Sequence, residues 1–164
     1  MVADRFVKQL NVQIGNELAS HNQYLACAVY FDAQTMPQTA AFFYRQAEEE
    51  REHGLMMVQY LLDTDAQVEF PAIPGVINEF DSIVAPVALA LEQEKRVTAQ
   101  CNELYKIARE EADFASEQFM SWFIKEQVEE IATMSDLLTV VTRNEGKIEQ
   151  IEAHVARETG RGAA

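Results

Sequence analysis

Four long stretches of this chain have apolar residues at helical spacing, and each stretch carries one glutamate on its apolar stripe. Ionised carboxylates are very costly to bury without a partner, and four buried together would also repel one another. No lysine or arginine lies on the stripes to offset them. Because each glutamate lies near the middle of its helix, we expect the four to meet at one level of a helical bundle. These glutamates are Glu17, Glu50, Glu94 and Glu130.

A histidine adds a second kind of ligand to this layer. His53 follows Glu50 by three residues, so both side chains lie on the same side of a helix. Carboxylates and imidazole together bind iron, manganese or zinc. Two divalent cations would offset the four negative charges, so the pattern predicts a dinuclear iron or manganese site with bridging glutamate. The alternative is that the four glutamates face solvent.

The chain reads as a single all-α domain over residues 1–164, with a four-helix bundle over about 5–143. Pro71, Pro74 and Gly75 interrupt the helical pattern between Asp63 and about Ser82. That segment is long enough to run back along the bundle, so that the third helix starts at the same end as the second. The predicted helices run from Asp4, as N-cap, to about Asp32; from Pro37 to about Leu62; from about Ile83 to Glu111; from Phe114, after an Asp113 cap, to about Arg143; and from about Lys147 to Glu158, before a frayed tail at Gly160–Ala164.

Charge and cysteine content narrow the class of protein. The formal net charge is −14, which disfavours nucleic acid as a partner and favours attraction of cations, although acidity also serves solubility alone. Cys27 and Cys101 have no CxxC spacing, so we interpret them as small core residues of a reduced cytoplasmic protein. We expect no signal peptide and no membrane span.

Together the acidic motifs resemble those of the bacterial non-haem ferritins, over nearly the whole chain. These motifs are Glu17 with Tyr24, Glu49-Glu50-x-x-His53, Glu94, and Glu126-Gln127-x-Glu129-Glu130. Ferritin-like di-iron bundles have one long crossover, as predicted here. Two departures separate the chain from bacterioferritins, and the first also separates it from rubrerythrins. Gln127 and Glu130 stand where bacterioferritins and rubrerythrins carry a second Glu-x-x-His, and Arg51 stands where bacterioferritins have their haem-binding methionine. No haem is therefore expected.

The resemblance implies a role for each residue of the centre. Glu17 and His53 would hold a first iron, Glu50 would bridge, and Glu94 and Glu130 would hold a second iron. Gln127 would lie close by. Tyr24 would hydrogen-bond within the site and could supply an electron.

Further acidic residues gain roles by the same resemblance. Glu49, Glu126 and Glu129, together with Glu130, look like the additional third iron site of bacterial ferritins, although adjacent glutamates also form solvated helix faces. Glu117 is the best candidate for an iron channel, although an acid near a helix start is equally explained by the helix dipole.

The function implied is iron storage and detoxification in the cytoplasm. The chain would form a homo-oligomeric cage of 24 subunits, oxidise Fe(II) with oxygen as a ferroxidase, and store the ferric mineral. The alternative is a di-iron oxidoreductase or peroxide-reducing enzyme of the same superfamily without storage. The missing second histidine and the fifth helix count against it. A purely structural bundle would leave the buried acids unexplained.

Overall fold

The computed structural model describes residues 1–162, which form five α-helices and no strand. The predicted all-α architecture is confirmed, with helix ends within a few residues of those expected. The helices are α1 (Asp4–Ala33), α2 (Pro37–Asp63), α3 (Val84–Glu110), α4 (Phe114–Arg143) and α5 (Ile148–Gly162).

Two separate apolar clusters fill the bundle and reveal the helix directions. One cluster contains the end of α1, the start of α2, the start of α3 and the end of α4, and α5 packs against it. The other contains the start of α1, the end of α2, the end of α3 and the start of α4. Helices α2 and α3 therefore start at the same end of the bundle, as the long crossover requires.

The crossover, residues 64–83, is fastened to α1 by two buried amide side chains. Asn11 donates from Nδ2 to the carbonyl of Gln67 (2.9 Å), and its Oδ1 accepts from the Glu69 amide (2.7 Å). Gln23 donates to the carbonyl of Ile77 (2.8 Å) and accepts from the amide of the same residue (2.9 Å). Since both side chains donate and accept, each satisfies crossover backbone groups that no helix pairs.

The start of α1 differs from the prediction. The N-cap is Ala3, without a side-chain hydrogen bond, and Asp4 lies in the first turn. The Ala3 amide instead donates to Asp113 Oδ2 (3.0 Å). Asp113 also caps α4 as predicted, accepting from the Ser116 amide (3.1 Å). The Asp113 carboxylate therefore accepts hydrogen bonds at the starts of both α1 and α4, and Asp4 does not act as a cap.

Helix α5 extends beyond its predicted end at Glu158. Gly160 to Gly162 are helical rather than frayed, and an ion pair from Arg161 to Glu158 (3.2 Å) supports the last turn. The remaining tail residues, 163–164, lie outside the described residues. Glu152 of α5 accepts from the backbone amides of Gln38 (2.8 Å) and Thr39 (2.9 Å), so it caps α2 from another helix.

The two cysteines are buried, free thiols in different helices. Cys27 belongs to the cluster that α5 covers, and Cys101 to the cluster at the other end. Both are core residues, as expected. Within residues 1–162, no helix combines the length and the apolar character needed to cross a membrane.

Candidate metal centre

A layer of buried polar side chains separates the two apolar clusters. The inner stripes of α1 to α4 each contribute to it at mid-height, since the helical repeat that buries their apolar residues also turns these side chains inward. Its acidic members are Glu17, Glu50, Glu94 and Glu130, each at most 4% exposed, and His53 is 5% exposed. The structure therefore brings the four stripes together at one level, as their spacing predicts.

Glu17, Glu50 and His53 form one group of close ligands, with one ligand atom from each within 4.8 Å of the others. His53 Nδ1 lies 3.8 Å from Glu17 Oε2 and 3.7 Å from Glu50 Oε2. The rings of Trp122 and Phe123 pack edge-on against the imidazole, with centroids at 5.4 and 5.9 Å. These contacts restrict the imidazole orientation, so its ligand nitrogen stays near both carboxylates.

Several oxygens of the layer are buried without a hydrogen-bond partner. They are both carboxylate oxygens of Glu50, Oε2 of Glu17 and Oε2 of Glu130. Buried acceptors without donors are rare because each costs about 1–3 kcal/mol or more. Cations would satisfy them, and the donor set of hard oxygens and one imidazole suits iron or manganese. Glu50, with two open oxygens, can contact two cations at once.

Glu94 differs because donors already occupy both of its oxygens. The Tyr24 hydroxyl donates to Oε1, and the Gln127 amide donates to Oε2 (3.0 Å). Gln127 also donates to Thr98 Oγ1 (3.2 Å), so its nitrogen faces the Glu94 side. A carboxylate oxygen keeps a second lone pair, so Glu94 can still bind a cation while Tyr24 and Gln127 hold it in place.

The layer perturbs the pKa values of its own members. Burial raises the pKa of Glu50 well above 4.5, and the charges of Glu17 and Glu94 raise it further. Burial, followed by the charge of Glu94, raises the pKa of Glu130 to about 9. Without cations the layer therefore holds protons at neutral pH, and cation binding would displace them.

The pKa values of two other groups of the layer, Glu17 and Tyr24, are also shifted. Burial acts to raise the pKa of Glu17, but the neighbouring His53 and Glu50 side chains and the amide of Gln13 outweigh burial, and the pKa is lowered. Burial and the charges of Glu94 and Glu50 raise the pKa of Tyr24 well above 10, so its hydroxyl stays a donor.

A second acidic cluster adjoins the first and shares Glu130 with it. One carboxylate oxygen each from Glu49, Glu126 and Glu130 lie within 4.8 Å of one another. Glu49 and Glu126 are half-buried, and burial raises the pKa of Glu49. Glu129 is exposed and does not join this group. Of the four residues predicted for the third site, Glu49, Glu126 and Glu130 therefore come together, and Glu129 does not join them.

Glu117, the channel candidate, is paired within the chain. Its Oε1 accepts from Arg109 Nη2 (2.7 Å) and from the Tyr105 hydroxyl (2.8 Å). The hydrogen bond from Arg109 lowers the pKa of Glu117. Arg109 therefore offsets the negative charge of Glu117, which would otherwise be unpaired near the start of α4.

One member of the layer was missed in the sequence. Gln13 is fully buried one turn before Glu17 and donates from Nε2 to Glu17 Oε1 (2.8 Å). Its spacing of four residues from Glu17, on the same face of α1, is the signal that identifies it.

Comparison with known proteins agrees with this architecture. A family model described as "Ferritin-like domain" matches residues 7–144. Ferritin BfrB of Mycobacterium tuberculosis is 47% identical over 154 residues, covering 94% of this chain and 85% of the relative. The bacterial non-heme ferritin of Staphylococcus aureus is 36% identical over 143 residues, covering 87% and 86% of the two chains. A crystal structure of the open pore ferritin from Archaeoglobus fulgidus superposes with a TM-score of 0.91 at 28% identity, covering 96% and 97%. The family resemblance in the motifs is thereby confirmed, and the chain belongs to the ferritin family.

Proposed function

We propose that this protein stores iron and oxidises Fe(II) with oxygen at the layer of buried acids. The observation that carries the proposal is the set of buried carboxylate oxygens without donors, gathered around His53. Relatives named as ferritins support storage as the purpose of the oxidation.

The contacts support a division of the layer between two Fe(II) ions, which are substrates. Glu17 and His53 would hold one ion, because Glu17 Oε2 is open and lies near the imidazole. Glu50 would bridge, because both of its oxygens are open. Glu94 and Glu130 would hold the second ion.

The two Fe(II) ions would each give one electron to O2, which is thereby reduced to the peroxide level, and the hard carboxylate ligands favour the Fe(III) product. Glu130 would release its proton as Fe(II) binds, since its pKa of about 9 keeps it protonated beforehand, and the raised pKa of Glu50 acts in the same direction. Tyr24, hydrogen-bonded to Glu94, would orient that ligand and could supply a further electron. Gln127 would hold Glu94 from the other side.

We propose a third iron position at Glu49, Glu126 and Glu130. The shared Glu130 would link it to the paired site, so that iron can pass between the two. Glu129, assigned to this site by the resemblance, lies exposed beside it.

We propose the oligomeric assembly and the cellular compartment from family membership. The chain would form a 24-subunit homo-oligomeric cage in the cytoplasm, where the free thiols Cys27 and Cys101 fit a reducing compartment. No haem is proposed, because Arg51 follows Glu50 and its exposed side chain pairs with Glu48 (2.9 Å). A net charge of −14 argues against a nucleic acid partner.

Anaerobic Fe(II) titration followed by oxygen addition tests the site. We expect two irons per subunit for the paired site and three if the Glu49 cluster also fills. Glu50→Ala should suppress rapid oxidation and leave the assembly intact. Glu52→Ala, which removes an exposed acid on the same helix, is the matched control. Unchanged oxidation in Glu50→Ala would remove Glu50 from the site.

Size-exclusion chromatography tests storage separately. A large cage is expected, and a monomer or dimer would contradict the storage proposal. Rapid Fe(II) oxidation by such a small species would favour the alternative of a di-iron oxidoreductase.

A further inference from the structure

Three amide side chains connect the Glu17 carboxylate to the outside of the bundle. Gln13 Nε2 donates to Glu17 Oε1 (2.8 Å) and to Gln100 Oε1 (3.1 Å). Gln13 Oε1 accepts from Asn16 Nδ2 (3.0 Å). Gln13 is fully buried, whereas Asn16 and Gln100 are half-buried at the margin of a groove between α1 and α3.

The chemistry of the carboxylate fixes the orientation of this network. An ionised carboxylate only accepts hydrogen bonds, so Gln13 must present its nitrogen to Glu17. Its second N–H then requires an acceptor, which is the Gln100 oxygen, and its own oxygen requires a donor, which is the Asn16 nitrogen. Each amide therefore has one arrangement that satisfies all contacts, and the network holds Gln13 in place.

The hydrogen bond from Gln13 makes the two oxygens of Glu17 unequal. Oε1 is engaged by the amide, whereas Oε2 has no partner and lies 3.8 Å from His53 Nδ1. Glu50, by contrast, receives no hydrogen bond on either oxygen. These polar contacts therefore already distinguish Glu17, which has one open oxygen, from Glu50, which has two and could bridge.

We propose that Gln13 is a positioning residue of the metal centre, which turns Glu17 so that Oε2 alone faces the cation held with His53. The inference rests on the proposed metal site. Gln13 would act through Glu17 and would not touch the metal. Outer partners of this kind hold first ligands in the geometry that a cation needs, and their loss typically costs 10–100-fold in affinity.

Binding of Co(II) to the metal-free protein without oxygen tests the proposal apart from any turnover. Gln13→Met keeps the length of the side chain and removes the donor. We expect it to weaken the site that contains Glu17 and His53 by about 10–100-fold and to change the visible absorption of bound Co(II). Gln23→Met is the matched control, because Gln23 is a buried glutamine of the same helix that bonds to the crossover. It should lower thermal stability while leaving Co(II) affinity and spectrum unchanged.

Asn16→Leu provides a second variant at a half-buried position, in case Gln13→Met fails to fold. It should give a smaller loss of Co(II) affinity in the same direction, because Gln13 loses the donor that holds its oxygen. Wild-type affinity and spectrum in Gln13→Met, or in Asn16→Leu if only that variant folds, would overturn the inference. Wild-type protein that binds no Co(II) in the layer would instead overturn the proposed function, and this inference with it.

Discussion

Replacing Glu130 by glutamine should stabilise the metal-free protein while weakening its hold on metal. Glu130 is 4% exposed, its Oε2 has no hydrogen-bond partner, and burial next to Glu94 raises its pKa to about 9. The unfolded chain ionises this carboxyl near pH 4.5, but the folded chain keeps the proton until about pH 9. Because the folded state holds a proton that the unfolded state releases, stability falls as pH rises between these two values.

The pKa difference sets the magnitude. Each pH unit above about 4.5 costs about 1.4 kcal/mol, so at pH 7 the penalty reaches roughly 3 kcal/mol. A neutral glutamine of the same shape does not ionise and removes this penalty. Glu130→Gln should therefore raise the free energy of unfolding of the metal-free protein by up to roughly 3 kcal/mol at pH 7, with little change near pH 4.5.

Thermal and denaturant unfolding of chelator-treated protein, followed from pH 5 to 9, measures the effect. Glu129→Gln removes the same charge from the neighbouring exposed position and is the matched control. The increase in unfolding free energy of Glu130→Gln over wild type should grow with pH, whereas the difference between Glu129→Gln and wild type should stay near zero. With saturating Zn(II) or Co(II), wild type should become more stable than Glu130→Gln, because a neutral amide is a poorer ligand than a carboxylate.

A pH-independent difference between Glu130→Gln and wild type would refute this reasoning. So would a metal-free Glu130→Gln protein less stable than wild type at pH 7. Either result would mean that the layer satisfies the charge of Glu130 without cations.

Three further substitutions test local features. Gly15→Ala would place a Cβ 2.2 Å from Pro71 Cγ, so we expect a loss of about 1–3 kcal/mol and faster proteolysis of residues 64–83; an unchanged cleavage rate would contradict the close contact. Thr35 has a φ of 58°, so Thr35→Gly should raise the unfolding free energy by up to about 1 kcal/mol in denaturant melts, and a loss would contradict the strain. Glu152→Ala should speed hydrogen exchange at the first amides of α2, with Glu149→Ala as the exposed control that leaves exchange unchanged.

The helices and the acid layer could be predicted because their signals are local. Helical periodicity places Glu17 on the same stripe as Leu10, Tyr24 and Phe31, and all four are fully buried. Mid-helix positions stay at mid-height whichever way a helix runs, so convergence of the acids did not depend on topology. The prolines of the crossover likewise predicted a break in the helical pattern, because proline cannot be accommodated in a helix interior without disrupting it.

Other contacts depend on which helix ends meet, and no local pattern encodes that. Asp113 was recognised as the cap of α4, but its second bond to Ala3 joins positions 110 residues apart. Glu152 similarly caps a helix more than a hundred residues earlier. In the second acidic cluster, Glu130 joins Glu49 and Glu126 as predicted and Glu129 does not, because a difference of one residue rotates a side chain by about 100° around the helix.

The layer of acids between the two apolar clusters also bears on how the bundle opens. Helix centres are normally the slowest regions to exchange their amide hydrogens, because fraying starts at the ends. In the metal-free protein, the central turns surround carboxyl groups that are costly to bury, while apolar packing lies towards both ends. The two ends would then behave as separate cooperative units linked only by helix backbone. Cations in the layer would join them, so that iron loading makes the whole subunit unfold as one piece.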